Sequence, residues 1–183
     1  GVLLREPAMG DQLALIDAVL PGKRRLGLVV TGESEPVLRE LQRVAQDWQL
    51  QVEYAPDARS LGTALRAVVP RSDALIVLPD LIGENQAATL AVLRAGATAG
   101  LPVFGSNEGM VRSGALAAAV STPAPLARQA RAMGARLAGG GAPAPWVESA
   151  TPASVRVNAT VARGLNLRLP AEDDSPIGIL AWR

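Results

Sequence analysis

Apolar positions along the chain follow two spacings in alternation, one continuous and one helical. Leu26-Gly-Leu-Val-Val30, Ala74-Leu-Ile-Val-Leu78 and residues 116–120 are unbroken apolar runs, as expected of strands buried on both faces of a parallel sheet. Shorter strands are predicted at 52–55 and at Pro102-Val-Phe104. Between them lie helical stripes. Residues 11–20 carry Leu13, Ile16, Val19 and Leu20 and stop at Pro21-Gly22. Ser34 is placed to cap a helix with Pro36 in its first turn and Val37, Leu38, Leu41, Val44, Ala45 and Trp48 along it. Leu61, Leu65 and Val68 mark a third helix, stopped by Pro70, and 85–99 a fourth, with Leu90, Val92 and Leu93, ended by Gly100. Residues 105–109 read as a strand-exit loop, and 125–138 as a helix that ends at Gly139-Gly-Gly141. A short apolar run at 2–4 is closed by Pro7. Near the other end, a strand is predicted at 155–157, with Asn158 capping a short helix through Arg163. Pro170 ends the regular pattern, and the acidic stretch 172–174 reads as solvated. Strands separated by helices imply right-handed βαβ units. The expected fold is therefore α/β, a doubly wound parallel sheet covered by helices on both sides.

Composition narrows the chemistry. The 183 residues contain no cysteine and no histidine. This excludes a thiol nucleophile, thiolate metal sites, an imidazole base and the Ser-His-Asp triad. An all-carboxylate Mg or Ca site passes that test, but no carboxylate pair shows acid/base spacing, and no metal or other cofactor is expected. With 18 basic against 17 acidic residues the net charge is +1, and the aromatics are Trp48, Tyr54, Phe104, Trp146 and Trp182 alone. Neither feature points to nucleic acid, which needs clustered cations and stacking surfaces. At this length one domain is the default. No apolar run approaches the roughly 20 residues of a membrane span. The start at Gly1, with no signal peptide pattern, leads to the expectation of a fragment with a segment missing upstream.

In an open α/β sheet, ligands bind outside the carboxyl ends of the strands, beside helix N-termini. The polar residues at those ends are Thr31 and Ser34 after 26–30, Asp80 and Asn85 after 74–78, Ser106 and Asn107 after Phe104, and Ser121 after 116–120. These seven are the candidate ligand-binding residues. Every one of them is also a residue type that caps helices and builds turns, so both roles stay open. Asp80 would favour a cationic or amine group, whereas helix N-termini at Ser34 and Asn85 would suit a carboxylate. Together they hint at an amino-acid-like zwitterion. Phosphoacceptor chemistry at Asp80 is excluded, because no acidic pair directly follows 26–30 and the one lysine is Lys23. No phosphate-binding Gly-Lys-Ser/Thr loop is present, and the loops hold no aromatic to sandwich a flavin.

The order of the segments carries a resemblance. Asp73-Ala-Leu-Ile-Val-Leu-Pro-Asp80, Leu101-Pro-Val-Phe-Gly-Ser106, Gly114-Ala-Leu-Ala-Ala-Ala-Val-Ser121, Val155-Arg-Val-Asn158 and Val161-Ala-Arg-Gly-Leu165 occur in sequence. They resemble the second lobe of the periplasmic substrate-binding proteins of ABC transporters, of the tryptophan- and tyrosine-uptake type and the type I periplasmic-binding fold. The likeness covers roughly residues 2–170 and is more distantly shared with sugar-binding proteins. It implies a non-catalytic, Rossmann-like lobe that closes with a partner lobe over a small solute and delivers it to an ABC permease. It also implies a periplasmic or lipid-anchored extracytoplasmic location, and ligand contacts from Asp80, Ser106, Asn107 and Ser121. On this reading residues 1–122 form the α/β lobe and 123–183 hold a returning crossing helix, a short strand and helix, and a tail. The N-terminal lobe is lacking. The crossing helix is then expected to lack its usual partner and to be covered by self-association, as a homodimer or helix swap. An effector-binding domain of a transcription regulator shares the fold and is the alternative.

Overall fold

The computed structural model describes residues 2–7, 9–80, 82, 85–120, 123–138, 147–150, 154–167 and 179–182. In chain order the elements are β1 (Val2–Pro7), α1 (Met9–Val19), β2 (Arg25–Val30), α2 (Glu35–Val44), β3 (Gln49–Tyr54), α3 (Ala58–Val68), β4 (Ala74–Ile76) and α4 (Gln86–Ala99). They continue with β5 (Val103–Phe104), α5 (Glu108–Ser113), β6 (Ala117–Val120), α6 (Pro123–Ala138), β7 (Val147–Ala150), β8 (Ser154–Asn158), α7 (Ala159–Gly164) and β9 (Ile179–Trp182).

Seven strands form one sheet in the order β3-β2-β4-β5-β6-β8-β9. β3 through β6 are parallel, β8 runs antiparallel to β6, and β9 runs parallel to β8. β1 and β7 pair in parallel as a separate ribbon, with Val2 opposite Val147.

The continuous apolar runs are explained by burial on both faces. Along β2, Leu28 and Val30 join one core cluster and Val29 the other; along β4 and its extension, Ile76 and Leu78 alternate with Leu75 and Val77. The first cluster is closed by Leu13 and Ile16 of α1, Leu38 and Leu41 of α2 and Ala162 of α7. The second is closed by Leu61, Leu65 and Val68 of α3, Val92 and Leu93 of α4, and Met110 and Val111 of α5. Helices on both sides of a mostly parallel sheet are the doubly wound arrangement the periodicity predicts.

Several features depart from that reading. Residues 105–109 do not stay a loop: Asn107 caps the six-residue α5, which Gly114 closes at φ 129°. A helix this short completes too few turns to show an apolar stripe. The ribbon strand β7 and the edge strand β9 are also absent from the sequence-level picture, and the stretch 172–174 lies outside the described residues. In the close approach of α4 to β5, a Cβ on Gly96 would overlap Cγ2 of Val103, so glycine is what lets the helix sit that near the strand.

Charges gather where the strands begin. Arg25 pairs with Asp73 at 2.9 Å, and its backbone N–H reaches the same carboxylate at 3.2 Å. Arg24 pairs with Asp17 at 2.9 Å and lies 4.8 Å above the Trp48 ring. The hydrogen bond from the Arg25 side chain holds the Asp73 carboxyl below the usual carboxylate range, against a smaller opposing effect of burial. A depressed folded-state pKa means the stabilisation is complete above the unfolded value of about 3.9 and is lost as pH falls through the folded one. Chemical denaturation at pH 7 and at about pH 3 should show Asp73→Asn costing about 1 kcal/mol at neutral pH and little in acid. An equal cost at both pH values would contradict an ionic origin.

Candidate functional site

Because β2, β4, β5 and β6 are parallel, their carboxyl ends share one edge of the sheet, and the loops after them gather there. β2 ends in a 3-10 turn, Gly32–Ser34, that leads into α2. The Ser34 side chain makes no capping bond to α2. Instead its Oγ accepts the Thr31 N–H at 2.9 Å, lies 3.3 Å from the Thr31 hydroxyl, and donates to Oδ2 of Asp80. The other Asp80 oxygen accepts the Ile82 N–H at 2.9 Å. Ser34 and Asp80 are both buried, so this pair is a strut that ties the loop after β2 to the loop after β4. Both oxygens of the carboxylate expected to attract a ligand's amine thus also accept hydrogen bonds from the protein itself.

Ser106 is likewise turned inward. It is 2% exposed, its hydroxyl donates to the Val77 carbonyl, and its N–H approaches the Met110 sulfur at 3.3 Å. It fixes the loop after β5 to β4. Asn85 and Asn107 are exposed helix caps. Asn85 Oδ1 accepts the Ala88 N–H at 3.0 Å, and Asn107 Oδ1 accepts the Met110 N–H at 2.9 Å. Each cap uses the carbonyl oxygen and leaves the amide NH2 to face outward partners.

Two recesses open at this edge. One of about 150 Å³ brings Thr31 and Asn85 together with Asp57, Leu61 and Ile82. The second, of about 230 Å³, lies between the start of α4 and α5 and includes Gln86, Thr89, Asn107 and Met110. Thr31 with Asn85, and Asn107 by itself, therefore line accessible space, while Ser34, Asp80 and Ser106 form the buried frame behind them. Ser121 lies outside the described residues. A larger groove of about 610 Å³ runs between α3 and α4 over Leu65, Val69, Ala91 and Ala95, and it holds none of the strand-end residues.

Asp57 shapes the first recess as the cap of α3. The Ser60 N–H, 2.9 Å from Oδ1, lowers the Asp57 pKa from its ordinary value. Among the described residues no group of three or more acidic side chains is arranged to hold a metal ion. Nor is any described helix long and apolar enough to cross a membrane.

Two residues that organise this end were not singled out by sequence. Gln12 of α1 is 1% exposed. Its amide donates to the Ala119 carbonyl and accepts the Ala119 N–H, each at 3.0 Å. Its signal is positional: a polar residue three and four places before Leu15 and Ile16 lies on the buried face of the helix. Arg156 is the other, a charge set between two buried valines of β8.

The family model for ABC transporter substrate binding proteins matches residues 1–172. No curated protein sequence matches the chain. Among solved structures, an ABC domain in complex with L-Trp from Streptococcus pneumonia is similar at 20% identity and TM-score 0.71, over 96% of this chain and 61% of that one. A conserved domain protein from Vibrio cholerae gives 22% identity and TM-score 0.74, over 98% and 61%. The ligand-free, open form of CD0873, a substrate-binding protein with adhesive properties from Clostridium difficile, gives 18% and 0.75, over 96% and 60%. The chain spans about three fifths of the length of these proteins, and at such identities they bear on the fold. The family match, in contrast, runs through nearly the whole sequence, so the chain belongs to the ABC transporter substrate-binding protein family.

Proposed function

We propose that this chain forms one solute-binding lobe of an extracytoplasmic receptor for an ABC importer, holding a small polar, amino-acid-like molecule at the strand-end edge. The observation that carries the reading is the division of that edge into a buried frame and accessible hydrogen-bonding groups. Ser34, Asp80 and Ser106 bond within the protein, while Thr31, Asn85 and Asn107 line the two recesses. A frame that fixes loops without spending outward-facing donors is what a receptor needs, since rigid groups bind with less loss of conformational freedom. The role is to hold and release a solute, and a chain without histidine or cysteine has few means of transforming one.

The proposal divides the chain in two, with β8 and β9 completing the sheet of the first part. Residues 1–122 provide the α/β body and 123–183 the crossing helix, β8, α7 and the tail. The solute sits in a cleft closed by a second lobe, and a membrane permease receives it from a periplasmic or lipid-anchored protein. The relative solved with L-Trp supports an amino-acid-like ligand.

Thermal-shift titration with the free L-amino acids, L-tryptophan among them, tests this. At ten times Kd the stabilisation should be about 1.4 kcal/mol, a rise in Tm of roughly 3–6 °C. No response to any amino acid, alongside a response to neutral sugars, would replace the ligand class.

A further inference from the structure

Arg156 is the middle residue of β8, and its Nε is buried without a hydrogen-bond partner, the one such side-chain atom among the described residues. Its neighbours Val155 and Val157 lie in the first core cluster, so strand alternation turns Arg156 and Asn158 to the opposite face. Asn158 there donates its amide to the Val111 carbonyl of α5 at 3.0 Å, which identifies the face as the one α5 covers. No ion pair among the described residues includes Arg156; exposed arginines such as Arg43 and Arg94 share that, but Arg156 alone combines it with a buried, unbonded Nε. A half-buried guanidinium without a counter-charge is costly, and its planar fork of donors matches a carboxylate.

Strand register gives the height of this group. Arg156 is opposite Ala118 of β6. The adjacent Ala117 carbonyl accepts the Gly105 N–H at 3.0 Å, so Arg156 stands level with the start of the loop that carries Ser106 and Asn107. β6 ends at Val120, two residues or about 7 Å further on, a distance comparable with the length of an extended arginine side chain. We infer that Arg156 receives the carboxylate of the bound solute, on the β5–β8 side of the strand-end edge. This rests on the solute-binding reading above and adds to it the chemical group recognised and the residue that recognises it. A full guanidinium charge outweighs the roughly half charge of a helix N-terminus, so the carboxylate goes to Arg156 in preference to the start of α4. The rest of the solute then lies toward Asn107, two strands or about 10 Å away.

The test compares wild type, Arg156→Met and Arg156→Lys by thermal shift and calorimetric titration. The probes are the free L-amino acids, the α-amide of the tightest binder, and inorganic phosphate. Arg156→Met should weaken amino-acid binding about 10- to 100-fold while the unliganded variant melts no lower than wild type. Arg156→Lys should recover part of the affinity, because it keeps the charge and loses the fork. The α-amide should bind wild type as weakly as the free acid binds Arg156→Met. Undiminished binding by Arg156→Met, or equal binding of acid and amide, overturns the assignment and leaves the solute-binding reading intact. Phosphate binding as tightly as the amino acid makes Arg156 a general anion site and also overturns it. A wild-type chain that responds to no amino acid overturns both.

Discussion

Replacing Gln12 with methionine is expected to destabilise the protein by about 3 kcal/mol and lower its thermal midpoint by roughly 6–12 °C. The size follows from what Gln12 replaces. β5 is two residues long, and its register with β6 pairs Phe104 with Ala117. The next β6 residue whose main chain faces β5 is Ala119, and β5 does not extend to meet it. Gln12 inserts its amide there and bonds both the N–H and the carbonyl of Ala119, as a further residue of β5 would. Methionine keeps the volume, so the packing of α1 against the first cluster is preserved, but two buried main-chain groups lose their partners at about 1–3 kcal/mol each. Urea denaturation followed by circular dichroism measures the loss. A change below about 1 kcal/mol would show that Ala119 finds other partners.

A still larger effect is expected at Phe104, the largest of the fully buried side chains among the described residues. Alanine there should cost about 4 kcal/mol, through lost transfer energy and the cavity left behind. Phe104 joins the first cluster together with Ile76 and Leu78 of the neighbouring strand and Ala117 of β6. In a sheet this closely packed, little can move in to fill the space. Phe104→Leu keeps most of the volume and should cost less than about 1.5 kcal/mol. Equilibrium unfolding of the two variants together checks the claim, since similar losses for both would mean the site collapses around the smaller side chain. Phe104 also directly precedes the loop in which Ser106 bonds the Val77 carbonyl.

Much of this architecture was legible because the two-sided core writes itself as unbroken apolar runs. Leu26 to Val30 and Ala74 to Leu78 read as strands buried on both faces; the first is strand throughout, the second over 74–76, and both runs feed the two core clusters. The strand-end residues were equally visible, but their roles were not. Ser34 and Asp80 are residue types that suit a cap, a ligand or a strut. The strut they form depends on the approach of two loops 46 positions apart, which no local pattern contains. Asn85 and Asn107 are the opposite case, since a cap is a local matter and both behave as local chemistry predicts. Gln12 and Arg156 were missed for a shared reason. Each is a polar residue in an otherwise apolar element, and its meaning depends on a strand it meets only after folding.

The β1–β7 ribbon has a mechanical consequence. Its two strands come from positions 145 apart in the chain, Val2 and Val147, and everything from α1 through α6 is threaded between them. A body suspended from one strand could swivel about single backbone bonds. A body suspended from two parallel strands, locked by main-chain hydrogen bonds, keeps bending of the ribbon as its soft mode and loses most of its freedom to twist.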